Sequence, residues 1–136
     1  MKKLRCYFHS MKIISTLLFI FLNTGYRQAD PLIGTWKGES ICQVKDSPCH
    51  DEIAAYHISK GKKPGTYHMI LNKVVNGKEE DMGVSDFDWD AAKHTLNYND
   101  SQRGGAWQFT LKDNKLEGTA VFKGVLYRVI HLTKAN

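Results

Sequence analysis

From Leu32 onward the chain is cut at short intervals by turn signals, and between the cuts no stretch keeps a helical apolar period. The cuts are the segment from Cys42 to Cys49, Pro64-Gly65, Asn76-Gly77, Asp90 to Lys93, Asp100 to Gly105, Asp113-Asn114 and Lys123-Gly124. The alternation between them predicts eight strands, over Leu32–Glu39, Ile53–Ser59, Thr66–Val75, Lys78–Asp86, His94–Asn99, Ala106–Lys112, Lys115–Phe122 and Val125–Thr133. Short strands joined to their neighbours, each with one apolar face, leave unpaired edges unless the sheet closes on itself. The expected fold is therefore all-β, an eight-stranded antiparallel up-and-down β-barrel with one disulfide. A barrel of this size is either just filled by its own side chains or holds one small ligand.

Opposed residues of an antiparallel pair share a face, so each hairpin makes its own prediction. A two-residue turn at Asn76-Gly77 pairs Leu71 with Met82 and Met69 with Val84, and sets Lys73 opposite Glu80. A two-residue turn at Asp113-Asn114 pairs Leu111 with Leu116, Phe109 with Gly118 and Trp107 with Ala120, so that large faces small twice. In the last hairpin, an odd-length loop around Lys123-Gly124 is needed to turn Leu126, Arg128, Ile130 and Leu132 inward. A two-residue loop turns Tyr127, Val129 and His131 inward instead. The expected interior comprises Trp36, Tyr67, Met69, Leu71, Met82, Val84, Leu96, Tyr98, Trp107, Phe109, Leu111, Leu116, Ala120, Leu126, Arg128 and Ile130.

The first 29 residues read as an export signal. Lys2, Lys3, Arg5 and Lys12 precede an apolar stretch from Ile13 to Leu22, too short to span a bilayer. Met11 opens a segment that is a leader by itself, so the first ten residues are either an upstream start or an extended basic region. Cleavage is expected between Tyr26 and Asp30, leaving residues 30–136 as one barrel domain, secreted or periplasmic and without a membrane span. Cys6 precedes the apolar stretch and is not placed for lipid attachment. The formal charge of +5 arises in the leader, because residues 30–136 carry 14 basic and 14 acidic side chains. A nucleic-acid-binding surface needs a surplus or stripe of cations, so no nucleic-acid partner is expected.

Cys42 and Cys49 are the only cysteines of residues 30–136, and in an exported chain such a pair most simply forms a disulfide. Their spacing excludes a C-x-x-C redox motif. A metal site using them with His50 lacks the second pair of ligands that zinc spacing requires, and no metal or other cofactor is expected. His50, Asp51, Glu52 and His57 form the densest polar cluster. No nucleophile with an oriented base accompanies them, so the chain reads as a binder rather than an enzyme. The acidic positions Glu79, Glu80, Asp81, Asp86, Asp88 and Asp90 do not match a calcium-loop spacing and read as solvated surface.

Gly34 and Trp36, near the start of the domain, resemble the first-strand G-x-W signature of the lipocalin-like barrels. Arg128, in the last strand pattern, resembles the arginine that this family packs against that tryptophan. The resemblance implies a lipocalin-like barrel in which Arg128 stacks on Trp36 at a closed end, leaving the opposite end open for binding. The aromatic positions supply the candidate ligand contacts: Tyr56, Tyr67, Met69, Trp89, Tyr98 and Trp107, flat apolar walls with polar tips. The first function expected is binding of a small apolar or amphipathic molecule, with an enclosed cavity bounded by Tyr67, Tyr98 and Trp107. The alternative is a protein partner: periplasmic inhibition of a hydrolase, a protease or lysozyme, by a filled barrel with a protruding loop, such as Asp100 to Gly105, or an N-terminal arm.

Overall fold

The computed structural model describes residues 27–136, so the export signal expected over residues 1–29 lies outside the described residues for all but its last three positions. Eight strands follow one another: β1 (Gly34–Cys42), β2 (Glu52–Lys60), β3 (Thr66–Val75), β4 (Lys78–Asp90), β5 (Thr95–Asp100), β6 (Gly105–Lys112), β7 (Lys115–Phe122) and β8 (Val125–Lys134). Each pairs antiparallel with the next and β8 returns to β1, closing an up-and-down barrel. The Cys42–Cys49 disulfide ties the β1–β2 connection. Closing so short a loop is worth about 2–3 kcal/mol in the chain-entropy picture.

The two-residue turns fix register as the sequence indicates. Asn76 and Gly77 both take positive φ, 52° and 76°, and Val75 opposes Lys78. Lys73 meets Glu80 with 3.4 Å between Nζ and the carboxylate. Across β6 and β7, Leu111 opposes Leu116, Phe109 opposes Gly118 and Trp107 opposes Ala120. The glycine is required there, because a Cβ at Gly118 would lie 2.3 Å from the Phe109 ring.

Two β-bulges correct the expected interior. In β4, Asn72 opposes Asp81 but Leu71 opposes Gly83, so Met82 is the inserted residue. Gly83 has φ of 142°, a region that favours glycine, and its N–H donates to the Asp81 carboxylate at 2.7 Å. The insertion reverses the alternation: Met82 and Val84, expected inside, are 42 % and 54 % exposed, while Phe87 is fully buried in their stead. Leu71 therefore does not meet Met82, nor Met69 Val84. In β8 the turn at Lys123-Gly124 is two residues long, with Phe122 opposite Val125, yet Arg128 opposes Ala120 because Tyr127 is inserted. The bulge, not an odd-length loop, turns Arg128, Ile130 and Leu132 inward and leaves Leu126 outside.

The core runs through Trp36, Ile58, Met69, Phe87, Leu96, Phe109, Leu116, Ile130 and Leu132, all essentially inaccessible. On the outer face, histidine–carboxylate pairs link strands: His68 with Asp86, His131 with Glu117, and His57 with Glu79. The His57 ring, followed by the Asn72 amide, holds the Glu79 carboxyl below its usual range.

Strand direction sorts the molecule into two ends. One holds the starts of β1, β3, β5 and β7, both chain termini of the domain, and the plug formed by residues 30–36. Trp36 Nε1 donates to the Leu32 carbonyl at 2.8 Å, and Leu32 is buried beside it. The Asp30 carboxylate accepts from the Tyr67 hydroxyl at 2.7 Å and pairs with Lys60 at 2.6 Å, while Lys60 Nζ also donates to the Tyr67 oxygen at 2.9 Å. Burial alone would raise Asp30, but the Lys60 ammonium, the Tyr67 hydroxyl and the Leu32 N–H outweigh it and hold its carboxyl below the usual range. A carboxylate depressed in the folded state stabilises above its unfolded pKa, about 4, and loses that contribution as pH falls through the folded value. Asp30→Asn is accordingly expected to lower the urea midpoint at pH 6–8, with the difference from wild type shrinking as pH falls below the ordinary carboxylate value of about 4.

Candidate functional site

The barrel wall is incomplete at the other end. β4 and β5 are joined by only three residue pairs, Asp88 with Asn97, Trp89 with Leu96 and Asp90 with Thr95. Beyond them Tyr98, Asn99 and Asp100 pair with β6 alone, and Gly83 to Phe87 pair with β3 alone. The bulge at Met82 explains the separation, since an inserted residue bends its strand and increases local twist.

The gap between the diverging strands is a cleft of about 290 Å³. Leu71, Gly83, Ser85 and Phe87 form one side, Tyr98 and Trp107 the other, and Asp100 and Arg103 stand at the lip. The aromatic groups are interlocked: Phe87 and Tyr98 have ring centroids 5.5 Å apart, Tyr98 and Trp107 5.6 Å, and Phe87 and Phe109 5.7 Å. Phe87 and Phe109 are fully buried, so the cleft has an apolar floor and does not continue into the core. Arg103 Nε lies 3.9 Å from the Asp100 carboxylate, and its side chain is 86 % exposed.

Behind Leu71 the same end carries a half-buried polar cluster. Arg128 Nη2 lies 3.4 Å from Glu52, and Nη1 reaches the Ser40 carbonyl, the Ser40 hydroxyl and the His50 carbonyl, each at 3.2 Å. Tyr56, which opposes Leu71 in the sheet, is 2 % exposed, and burial pushes its hydroxyl up to about 12. That hydroxyl is a permanent donor at neutral pH. Glu52 Oε2 is buried and has no hydrogen-bond partner among the described residues. An orphaned carboxylate oxygen beside a mouth is available to a ligand donor.

These placements rearrange the sequence-derived candidates. Tyr98 and Trp107 do come together, and Tyr56 stands behind them. Tyr67 and Trp89 pack against each other towards the plugged end, with centroids 6.2 Å apart, and Met69 is fully buried. No single cavity is bounded by Tyr67, Tyr98 and Trp107: the first belongs to the plug and the other two to the cleft. Arg128 does not stack on Trp36. It opposes Cys42, whereas Trp36 opposes Lys134, so the two side chains lie six residues apart along β1, about 20 Å at strand rise. The cation over the Trp36 ring is Lys134, at 5.6 Å, its Nζ donating to the Pro31 carbonyl. Gly34 lies beside the same Lys134 side chain, 3.1 Å from where a Cβ would stand.

His50, Asp51, Glu52 and His57 do not converge. His50 contacts the Pro48 carbonyl, Asp51 accepts from the Cys42 N–H, Glu52 faces Arg128 inside the barrel, and His57 faces outward to Thr35 and Glu79. Among the described residues no group of three or more His, Cys, Asp or Glu side chains is placed to hold a metal ion, and no helix is long and apolar enough to cross a membrane. The contribution of Ser85 and Phe87 was not apparent from the sequence alternation, and Asp100 and Arg103 belong to the loop that the sequence offered for a protein partner instead. A glycine within a strand pattern, here Gly83, is the signal that could have pointed to a bulge.

No protein-family model matches the chain, and no curated protein matches it. The β-barrel with its single disulfide is a fold compatible with a small binding protein.

Proposed function

We propose that this protein binds a small amphipathic molecule in the cleft between β4 and β5. The observation that carries the reading is the loss of the β4–β5 ladder beside an interlocked set of aromatic rings. The apolar part of the ligand, a ring or short chain, lies between Leu71, Tyr98 and Trp107 above Phe87. Its polar part meets Ser85, Asp100 and Arg103 at the lip. A volume of about 290 Å³ is near the lower bound of small-molecule sites, about 300 Å³, which favours a compact ligand over a long acyl chain. The setting we propose is an exported one, secreted or periplasmic, where a disulfide such as Cys42–Cys49 persists. The lipocalin-like kinship indicated by Gly34 and Trp36 is part of the same proposal, with Lys134 in the place expected for Arg128.

Inhibition of a hydrolase draws on one observation, the filled interior beneath the cleft. An inhibitor needs no opening in its wall, and the broken ladder therefore favours the ligand. Titration with 1-anilinonaphthalene-8-sulfonate, an aromatic anion of suitable size, tests the reading. Ser85→Phe, which fills the cleft, is expected to weaken probe binding at least tenfold, about 1.4 kcal/mol, with the urea midpoint unchanged. Tyr67→Phe, at the plugged end, leaves the affinity unaltered. Equal affinity in wild type and Ser85→Phe would count decisively against the cleft.

A further inference from the structure

We infer that the ligand of the cleft is a short extended peptide, which adds to β4 as an antiparallel strand with a basic side chain outside and an aromatic one inside. The inference rests on the cleft being the ligand site and adds the class of ligand.

The backbone carries it. The Trp89 N–H donates to the Gly65 carbonyl at 2.9 Å, on the β3 side of β4. Backbone groups point to alternate sides along a strand, so Phe87 and Ser85 also bond towards β3, while Val84 and Asp86 turn their N–H and C=O towards β5. The β4–β5 ladder stops at Asp88 with Asn97, and among the described residues Val84 and Asp86 have no strand on that side. Asn99 stands on the opposite edge, where β5 pairs with β6 alone. An unpaired edge is a template for another strand. Proteins commonly blunt such edges with lysine or proline, and the run from Gly83 to Asp88 holds neither. The bulge at Met82 precedes this run, and from Gly83 to Asp88 the register with β3 is unbroken.

Side chains follow the same alternation. A peptide residue opposite Ser85 points inward, over Phe87 and against Tyr98 and Trp107, and an aromatic ring suits that place. Residues opposite Asp86 and Val84 point outward. Val84 is exposed and offers an aliphatic neighbour. Asp86 already faces His68, with Lys62 beside the same groove. Asp88, next on the outer row, instead shares a groove with Asn97, Asn99 and Gln108 that no lysine or arginine among the described residues lines. A lysine opposite Asp86 reaches the Asp88 carboxylate. In the antiparallel direction the fitting order is therefore basic, aromatic, aliphatic. A second copy of β4 fits poorly, because it would bring two rows of acids together.

Titration of isotope-labelled protein with the peptide N-acetyl-Lys-Phe-Val-amide, followed by nuclear magnetic resonance, tests the inference. The peptide is expected to bind saturably and to slow amide exchange of Val84 and Asp86 at least tenfold, while Ser85 and Phe87, already bonded to β3, are unchanged. Methylating the lysine and valine amide nitrogens of the peptide removes the two donors aimed at β4 and weakens binding at least tenfold. Asp88→Asn, at an exposed position, weakens it about threefold. No saturable binding up to about 10 mM overturns the inference, as does binding that survives methylation or leaves the Val84 and Asp86 amides unprotected. Protection of both amides without peptide, in a chain that sediments as a dimer, would assign the edge to a second copy and overturn it equally. The anilinonaphthalene-sulfonate titration separates the two readings. Probe binding that Ser85→Phe weakens, with no peptide binding, leaves the cleft and removes the peptide; loss of both removes both.

Discussion

Gly38→Ala is expected to be the most damaging small substitution in the barrel. Gly38 lies in β1 opposite Ala54 on one side and Leu132 on the other, at the seam where β8 returns to β1. A Cβ there would stand 1.9 Å from the His131 carbonyl oxygen and 2.9 Å from its carbon. Both are backbone atoms of the closing strand, so no side-chain rotation relieves the overlap and the ladder must separate. We expect a loss of at least about 3 kcal/mol, seen as a fall of about 1 M or more in the urea midpoint. Gly118→Ala offers the instructive comparison, because its Cβ meets the Phe109 ring at 2.3 Å. A ring can pivot where a carbonyl in a ladder cannot, so the loss at Gly118 is expected to be smaller. The opposite order would mean that the β1–β8 seam is not closed as described.

Trp36→Ala is expected to cost about 3–5 kcal/mol, the range for deleting a large buried aromatic. The side chain is fully buried, and its indole N–H is taken up by the Leu32 carbonyl. A double-mutant cycle adds a sharper test. The register predicts coupling of about 0.5–1 kcal/mol between Trp36 and Lys134, through the ammonium above the ring. Between Trp36 and Arg128, at opposite ends of the barrel, coupling is expected to be within about 0.5 kcal/mol of zero. Strong coupling of Trp36 to Arg128 would restore the stacked pair that the G-x-W resemblance implies and would contradict the register.

The architecture was legible because turn chemistry is local. Asn76-Gly77 and Asp113-Asn114 each fix the pairing next to them, and the charge pair Lys73–Glu80 and the large-to-small pair Phe109–Gly118 follow without knowledge of the remainder. What was not legible lies beyond a bulge, where one inserted residue exchanges the faces of everything after it. Met82 and Val84 were assigned inward because strict alternation was carried past Gly83. Arg128 was assigned inward for a different reason than the one that places it there, the insertion of Tyr127 rather than a longer turn.

The misplaced Arg128–Trp36 contact was avoidable from topology alone. When the last strand runs antiparallel to the first, its beginning meets the first strand's end, so a residue early in β8 opposes Cys42 and a late one opposes Trp36. Lys134 could have been found by that count. The cleft could not, since it depends on where β4 parts from β5, a separation between elements that no hairpin rule describes. Its two aromatic walls, Tyr98 and Trp107, were nevertheless among the candidates, because both face inward on the same β5–β6 pair.

The account rests on the break in the β4–β5 ladder being a binding site and not merely a packing defect. Native mass spectrometry of the protein isolated from the cells that produce it addresses this most directly, with wild type and Ser85→Phe compared side by side. The account predicts a small non-covalent adduct on the wild type that is lost in Ser85→Phe while the fold is retained. A wild type without bound mass, or an adduct that survives in Ser85→Phe, would contradict it.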